Sequence, residues 1–167
     1  MRIQTWLYSI AQGLALTSSV ISVSVAPLVG KMLAPLASLS TVSYGAQFAT
    51  VIACSYLLSM SMKRFGRKPV FYLGVCSLAL GGVLGAVSIY LHNFTLNVLA
   101  HVSFGLSVSA FAYFRFAATD GLKTLEKAKV ISLVTLGGIA AAFIGPIIAK
   151  NGRLLFDDYV FSGSYMA

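Results

Sequence analysis

Five apolar runs, each about as long as a bilayer's hydrocarbon core is thick, decide what this chain can fold into. A helix that crosses a membrane needs about 20 predominantly apolar residues. Runs of that kind occupy residues 5–30, 41–62, 69–91, 94–118 and 128–149. Lys31 and Pro35 close the first, and the cluster Lys63-Arg64-Phe65-Gly66-Arg67-Lys68 divides the second from the third. Pro69 stands where the third begins, in a first turn that has no use for its missing N–H. Lipid offers no hydrogen bonds to a backbone, so such runs satisfy their own amides as helices. The expected fold class is therefore all-α, a polytopic membrane helix bundle with five transmembrane helices in a single membrane domain over 1–167. The first run has only Arg2 before it and continues past any small-residue cleavage site, which makes it a retained span. Residues 150–167 are expected as an extracytoplasmic tail. Asp157 and Asp158 lie within it, and it turns apolar again toward Ala167, as the approach to a missing sixth span would.

Charge agrees with this reading and removes others. Only 10% of the residues are charged and 58% are hydrophobic, against about 25% charged in an average soluble domain. In water such a chain would expose a large apolar surface and aggregate, so the lipid bilayer is its expected partner. A net charge of +8 would suggest nucleic acid if it formed a continuous patch. Here the cations sit in short loops between spans, and no nucleic-acid partner is expected. One side of the membrane receives Arg2, Lys63, Arg64, Arg67, Lys68, Arg115, Lys123, Lys127 and Lys129; the other receives only Lys31, Lys150 and Arg153. Cytoplasmic loops carry the excess of Lys and Arg. The amino terminus is thus expected in the cytoplasm and the chain in the cytoplasmic membrane.

The residues that carry chemistry are few. The four carboxylates, Asp120, Glu126, Asp157 and Asp158, all fall in loops or at span ends, which leaves no acid dyad for hydrolysis. His92 and His101 are too few for a metal site, and Cys54 and Cys76 lie in apolar runs as small packing residues. No metal, no cofactor and no enzymatic activity are expected. Small residues recur within the spans, at Gly81, Gly82 and Gly85 and at Gly137, Gly138 and Gly145. They let helix backbones approach one another where lipid gives no hydrophobic drive.

Three motifs stand in order along the chain. Between the second and third runs lies Ser59-x-x-x-Lys63-Arg64-x-Gly66-Arg67-Lys68, in which Gly66 permits a tight turn at positive φ. The fourth run holds His101-x-x-Phe104-Gly105. The fifth reads Gly137-x-x-x-Ala141-x-x-x-Gly145-Pro146-x-x-Ala149, a smooth face at a spacing of four, with Pro146 freeing a carbonyl. Together these resemble the amino-terminal half of the major facilitator superfamily (MFS) of transporters. The family's loop motif is matched at Arg64, Gly66, Arg67 and Lys68 and departed from at Ser59, for glycine, and at Lys63, for aspartate. In the fourth span His101 takes the family's arginine position and Phe104 its glutamine position. In the fifth, Ala141 and Ala149 take glycine positions.

The resemblance implies a secondary transporter of two six-span bundles that moves a small-molecule solute by alternating access. The chain would supply five of the first six spans. In the family the first and fourth spans line the substrate path, which makes Gln12, Ser18, Ser19, Ser22, His101 and Arg115 the candidate path residues. Ser18 and Ser22 share a helix face, as do Gln12 and Ser19. A buried neutral histidine remains the competing reading for His101. For Arg115 it is an interfacial cation or a partner for Asp120, and for the serines it is bonding back onto their own helix. The missing carboxy-terminal half is expected either beyond this sequence or on a partner chain. Two further readings are a small non-transporting multispan scaffold or regulator and one chain of a split transporter.

Overall fold

The computed structural model describes residues 3–153 and 161–166. Arg2, Asp157 and Asp158 lie outside the described residues. The elements are α1 (Ile3–Leu33), α2 (Val42–Phe65), α3 (Arg67–Tyr90), α4 (Phe94–Phe111), α5 (Phe114–Ala117), α6 (Thr124–Gly152) and α7 (Ser162–Met166), with one 3₁₀ turn at Ala37–Leu39. Among the described residues, five spans are long and apolar enough to cross a membrane: α1, the 3₁₀ turn with α2, α3, α4 with α5, and α6.

Local chemistry sets the ends. Gly66 closes α2 and opens α3 at φ 84°, and its N–H bonds to the Met62 carbonyl at 3.0 Å. Arg67 and Lys68 therefore lie inside α3, with Pro69 still in its first turn. Asn93 caps α4 by accepting the Leu96 N–H at 3.1 Å, so this residue is placed by helix capping. The expected fourth span is interrupted: α4 ends at Phe111 and α5 starts at Phe114. The Tyr113 hydroxyl donates to the Ser55 carbonyl of α2 at 2.9 Å, fixing the turn against a neighbouring helix. Pro27 and Pro146 lie within α1 and α6, which continue through them.

Small residues decide which helices meet. The Gly13 Cα lies where an added Cβ would come within 3.0 Å of the Gly137 carbonyl oxygen, and one at Gly145 within 2.7 Å of Val20. Residue numbers rise together along both helices, so α1 and α6 run parallel. The Ser9 hydroxyl adds a bond to the Leu133 carbonyl at 2.9 Å. The second parallel pair is α2 with α4, where Gly105 sits on the Gln47 backbone and the Ser109 hydroxyl reaches the Val51 carbonyl at 3.3 Å. Between α3 and α4, Gly74 faces Ala110 and Gly81 faces Phe104 and Ala100, which is antiparallel packing.

The interior inverts the soluble pattern. Among its fully buried side chains are Gln47, Asn97, His101, Ser22, Ser43 and Ser88, while Ile52, Tyr56, Tyr72 and Phe143 point outward. Apolar surface facing out and bonded polar groups facing in is the arrangement lipid favours.

Candidate functional site

The candidate path residues fall into two groups at different heights along α1. Nearer its start, Gln12, Ala15 and Leu16 of α1, Val108 and Phe111 of α4, Arg115 of α5, and Val134 and Thr135 of α6 line a partly open cavity of about 180 Å³ that Ala112 also borders. Gln12 is buried, and its Oε1 has no hydrogen-bond partner. The Thr135 hydroxyl bonds back to the Ile131 carbonyl at 2.8 Å. Arg115 is exposed, and its guanidinium lies 5.2 Å from the Phe116 ring centroid. It does not hold Asp120. That carboxylate forms an ion pair with Arg67 of the loop motif, because the turn after α5 brings Asp120 over the start of α3.

Toward the other end of α1, Ser18 and Ser22 line a separate groove of about 440 Å³ with Leu78, Gly82 and Val83 of α3 and Tyr165 of α7. The Ser18 hydroxyl is satisfied within its own helix, by the Leu14 carbonyl at 3.3 Å, as are those of Thr17 and Ser24. Ser19 lines neither space and gives its carbonyl to Ser22 at 3.1 Å. Ser22 also reaches Gln47 Oε1 of α2 at 3.0 Å.

Ser22 borders a buried polar cluster that pins several helices together. Asn97 sits at its centre. Its Oδ1 accepts from the Ser43 hydroxyl at 2.7 Å, and its Nδ2 donates to the Tyr165 hydroxyl at 3.0 Å and to Ser88 Oγ at 3.3 Å. His101 lies one turn further along α4, Nδ1 at 2.9 Å from the Asn97 carbonyl, its ring edge-on to Phe104 and Tyr165. Its Nε2 has no hydrogen-bond partner, and the ring lines neither the cavity nor the groove. Sequence reasoning singled out His101 and missed Ser43, Gln47, Ser88, Asn97 and Tyr165. The available signal was spacing: Ser43 and Gln47, like Asn97 and His101, stand four apart in apolar runs and so share a face.

The loop and fifth-span motifs have structural partners. In the loop, Gly66 adopts the expected positive φ, Arg67 holds Asp120, and Lys63, Arg64 and Lys68 are exposed, with Ser59 half-buried one turn earlier. In α6, Gly137 lies on the Ser9 carbonyl, Ala141 is buried, Gly145 meets Val20, and the Ala149 carbonyl accepts from Ser164 at 2.8 Å. Pro146 is on the outward side.

Over 166 residues, 96% of its length, the chain is 32% identical to the riboflavin transporter RfnT of Brucella anthropi. This chain resembles a membrane transporter. It spans 40% of the length of that curated relative. No family model matches the chain, and no solved structure matches it.

Proposed function

We propose that this chain is the amino-terminal part of a secondary active transporter of the MFS kind, which moves a riboflavin-like solute across the cytoplasmic membrane by alternating access. The observation that carries the reading is the similarity to a riboflavin transporter along nearly the whole chain. Helix pairing supports it. A half-bundle of two inverted three-span repeats exchanges span 1 with 4, span 2 with 5 and span 3 with 6. Under that exchange the contact of span 1 with span 5 becomes the contact of span 4 with span 2. Those are the two parallel pairs, α1 with α6 and α4 with α2.

The same exchange turns the α3–α4 contact into one between a sixth span and α1. On this reading α7 starts that sixth span, and its continuation occupies the groove between α1 and α3 beneath Tyr165. The solute path then runs over the other side of α1, where Gln12 and Arg115 share a cavity with α6. Ser18, Ser19, Ser22 and His101 act as packing and bracing groups.

The proposed orientation puts the loops at Gly66 and Asp120 in the cytoplasm and His92 outside. With Cys54 and Cys76 replaced by alanine, a His92→Cys variant is expected to react with a membrane-impermeant maleimide in intact cells. A Lys123→Cys variant is expected to react only after permeabilisation. The reverse pattern overturns the orientation. For function, a riboflavin auxotroph carrying the intact gene region is expected to grow at limiting riboflavin and to accumulate labelled riboflavin well above the empty-vector control. Equal growth and uptake in both strains overturns the solute assignment.

A further inference from the structure

We infer that the Gly66 turn and the two helix ends it joins form a docking site for an anionic phospholipid. Lys63, Arg64 and Lys68 hold the headgroup phosphate, and the outward faces of α2 and α3 receive the acyl chains. The inference needs only that the chain spans a membrane. It stands whichever solute is carried and whichever side of the membrane the turn faces.

The three cations are exposed, and none has an ion-pair partner among the described residues. Asp120, which the turn after α5 brings to this end of the bundle, is already taken by Arg67. The helix ends that carry them are held. Gly66 closes α2 through its N–H to the Met62 carbonyl at 3.0 Å, and Arg67, inside α3, is tied to Asp120. Helix stability accounts for part of the charge, since Lys63 and Arg64 lie in the last turn of α2, at the negative end of its dipole. It does not account for Lys68. That residue stands in the first turn of α3, at the positive end of the dipole, and the turn holds no acid.

Each helix runs from its cation into bare apolar surface. On α2, Tyr56, Met60 and Arg64 recur every four residues, and on α3 Tyr72 follows Lys68 at the same interval, which keeps each set on one face. Tyr56, Met60 and Tyr72 all point outward. Tyr72 lies about 6 Å from Lys68 along the helix axis, and tyrosine favours the headgroup level of a membrane. Phe65 is exposed beside Gly66, with the Arg64 guanidinium 5.2 Å from its ring centroid. A soluble anion would engage the cations and leave these faces uncovered, whereas a phospholipid covers both. A headgroup of net negative charge is selected because a zwitterionic one brings its own ammonium against three unpaired cations.

The test is photocrosslinking of the protein from its intact gene region in phosphatidylcholine vesicles. These carry a trace of phosphatidylglycerol or, separately, of phosphatidylcholine, each with a diazirine in its acyl chain, and adducts are located by peptide mass spectrometry. On residues 56–75 the wild type is expected to take roughly fivefold or more adduct from phosphatidylglycerol. Residues 126–136, where Lys127 and Lys129 stand beside Glu126, are the internal comparison and are expected to show a much smaller excess. The Lys63→Gln/Arg64→Gln/Lys68→Gln variant is expected to bring the ratio on 56–75 down to about one, and an excess of inorganic phosphate to leave the wild-type ratio unchanged. Equal labelling by the two lipids overturns the inference. So does an excess shared equally by both segments, which reports diffuse surface charge, or one abolished by inorganic phosphate, which assigns the cations to a soluble anion. These comparisons need only the wild type, so poor folding of the variant does not shelter the idea.

Discussion

Gly137→Val is expected to separate α1 from α6 and to leave the purified protein markedly less stable. A Cβ at position 137 would run into the backbone carbonyl of Ser9, with Ser9 Oγ 3.1 Å away. The obstacle is backbone, so no rotamer change relieves it. The contact also neighbours the Ser9–Leu133 hydrogen bond and the approach of Gly13 to the Gly137 carbonyl, so one added side chain disturbs three interactions. Helix pairs in lipid are held by close van der Waals approach, and forced overpacking costs about 3 kcal/mol at the upper end of its usual range. For a chain of this size that corresponds to a fall in Tm of roughly 6–12 °C, measurable by the temperature dependence of monodispersity in detergent. Gly45→Val is the control, since a Cβ there meets nothing within 4 Å. If both variants melt alike, α1 and α6 are not packed through Gly137.

Asn97→Leu is expected to have an effect of comparable size. The two side chains are similar in size, so the substitution removes bonding while largely preserving volume. It takes from Ser43 its acceptor, from the Tyr165 hydroxyl its donor and from Ser88 a third contact, which unties α2, α3 and α7 from α4 together. Interhelical hydrogen bonds in a membrane contribute about 0.6 kcal/mol on average and up to about 1.7. Loss of this cluster therefore costs about 2–4 kcal/mol, since the orphaned hydroxyls remain buried. A Ser43→Ala substitution is expected to be milder in the Asn97→Leu background than in the wild type, because its acceptor is already gone. Additive losses would show that the two side chains do not interact.

The physical reason so much of this fold is legible in sequence is that lipid demands it. A span cannot leave its backbone unbonded, so run length alone points to five helices, the number long and apolar enough to cross a membrane among the described residues. The positive φ at Gly66 follows from the same kind of local necessity. What sequence conceals is partnership. The small face of α6 announces a close contact, but only the structure names α1 as the helix it meets. The break at Ala112–Tyr113 is silent because its residues are apolar and its anchor is the distant Ser55 carbonyl. Asp120 was open to pairing with Arg115, five residues before it, and instead takes Arg67 from the start of the neighbouring α3. The serines of α1 were open to lining a solute path or to bonding back onto their own helix, and Ser18 and Ser22 do bond back, to the Leu14 and Ser19 carbonyls. Gln12 and Arg115 were visible as isolated polar residues, and that both line one cavity depends on the packing of α1 beside α6 and α5.

The central claim, that this chain belongs to a carrier of a riboflavin-like solute, is tested most directly by trans-acceleration. Vesicles containing the protein from its intact gene region are preloaded with unlabelled riboflavin, and the initial entry of labelled riboflavin is compared with that into empty vesicles. A carrier that alternates access returns to the outside faster when loaded, so entry is expected to be faster into preloaded vesicles and absent without the protein. Protein-dependent entry that preloading fails to accelerate would contradict alternating access, and entry no faster than in protein-free vesicles would contradict the transport of riboflavin itself.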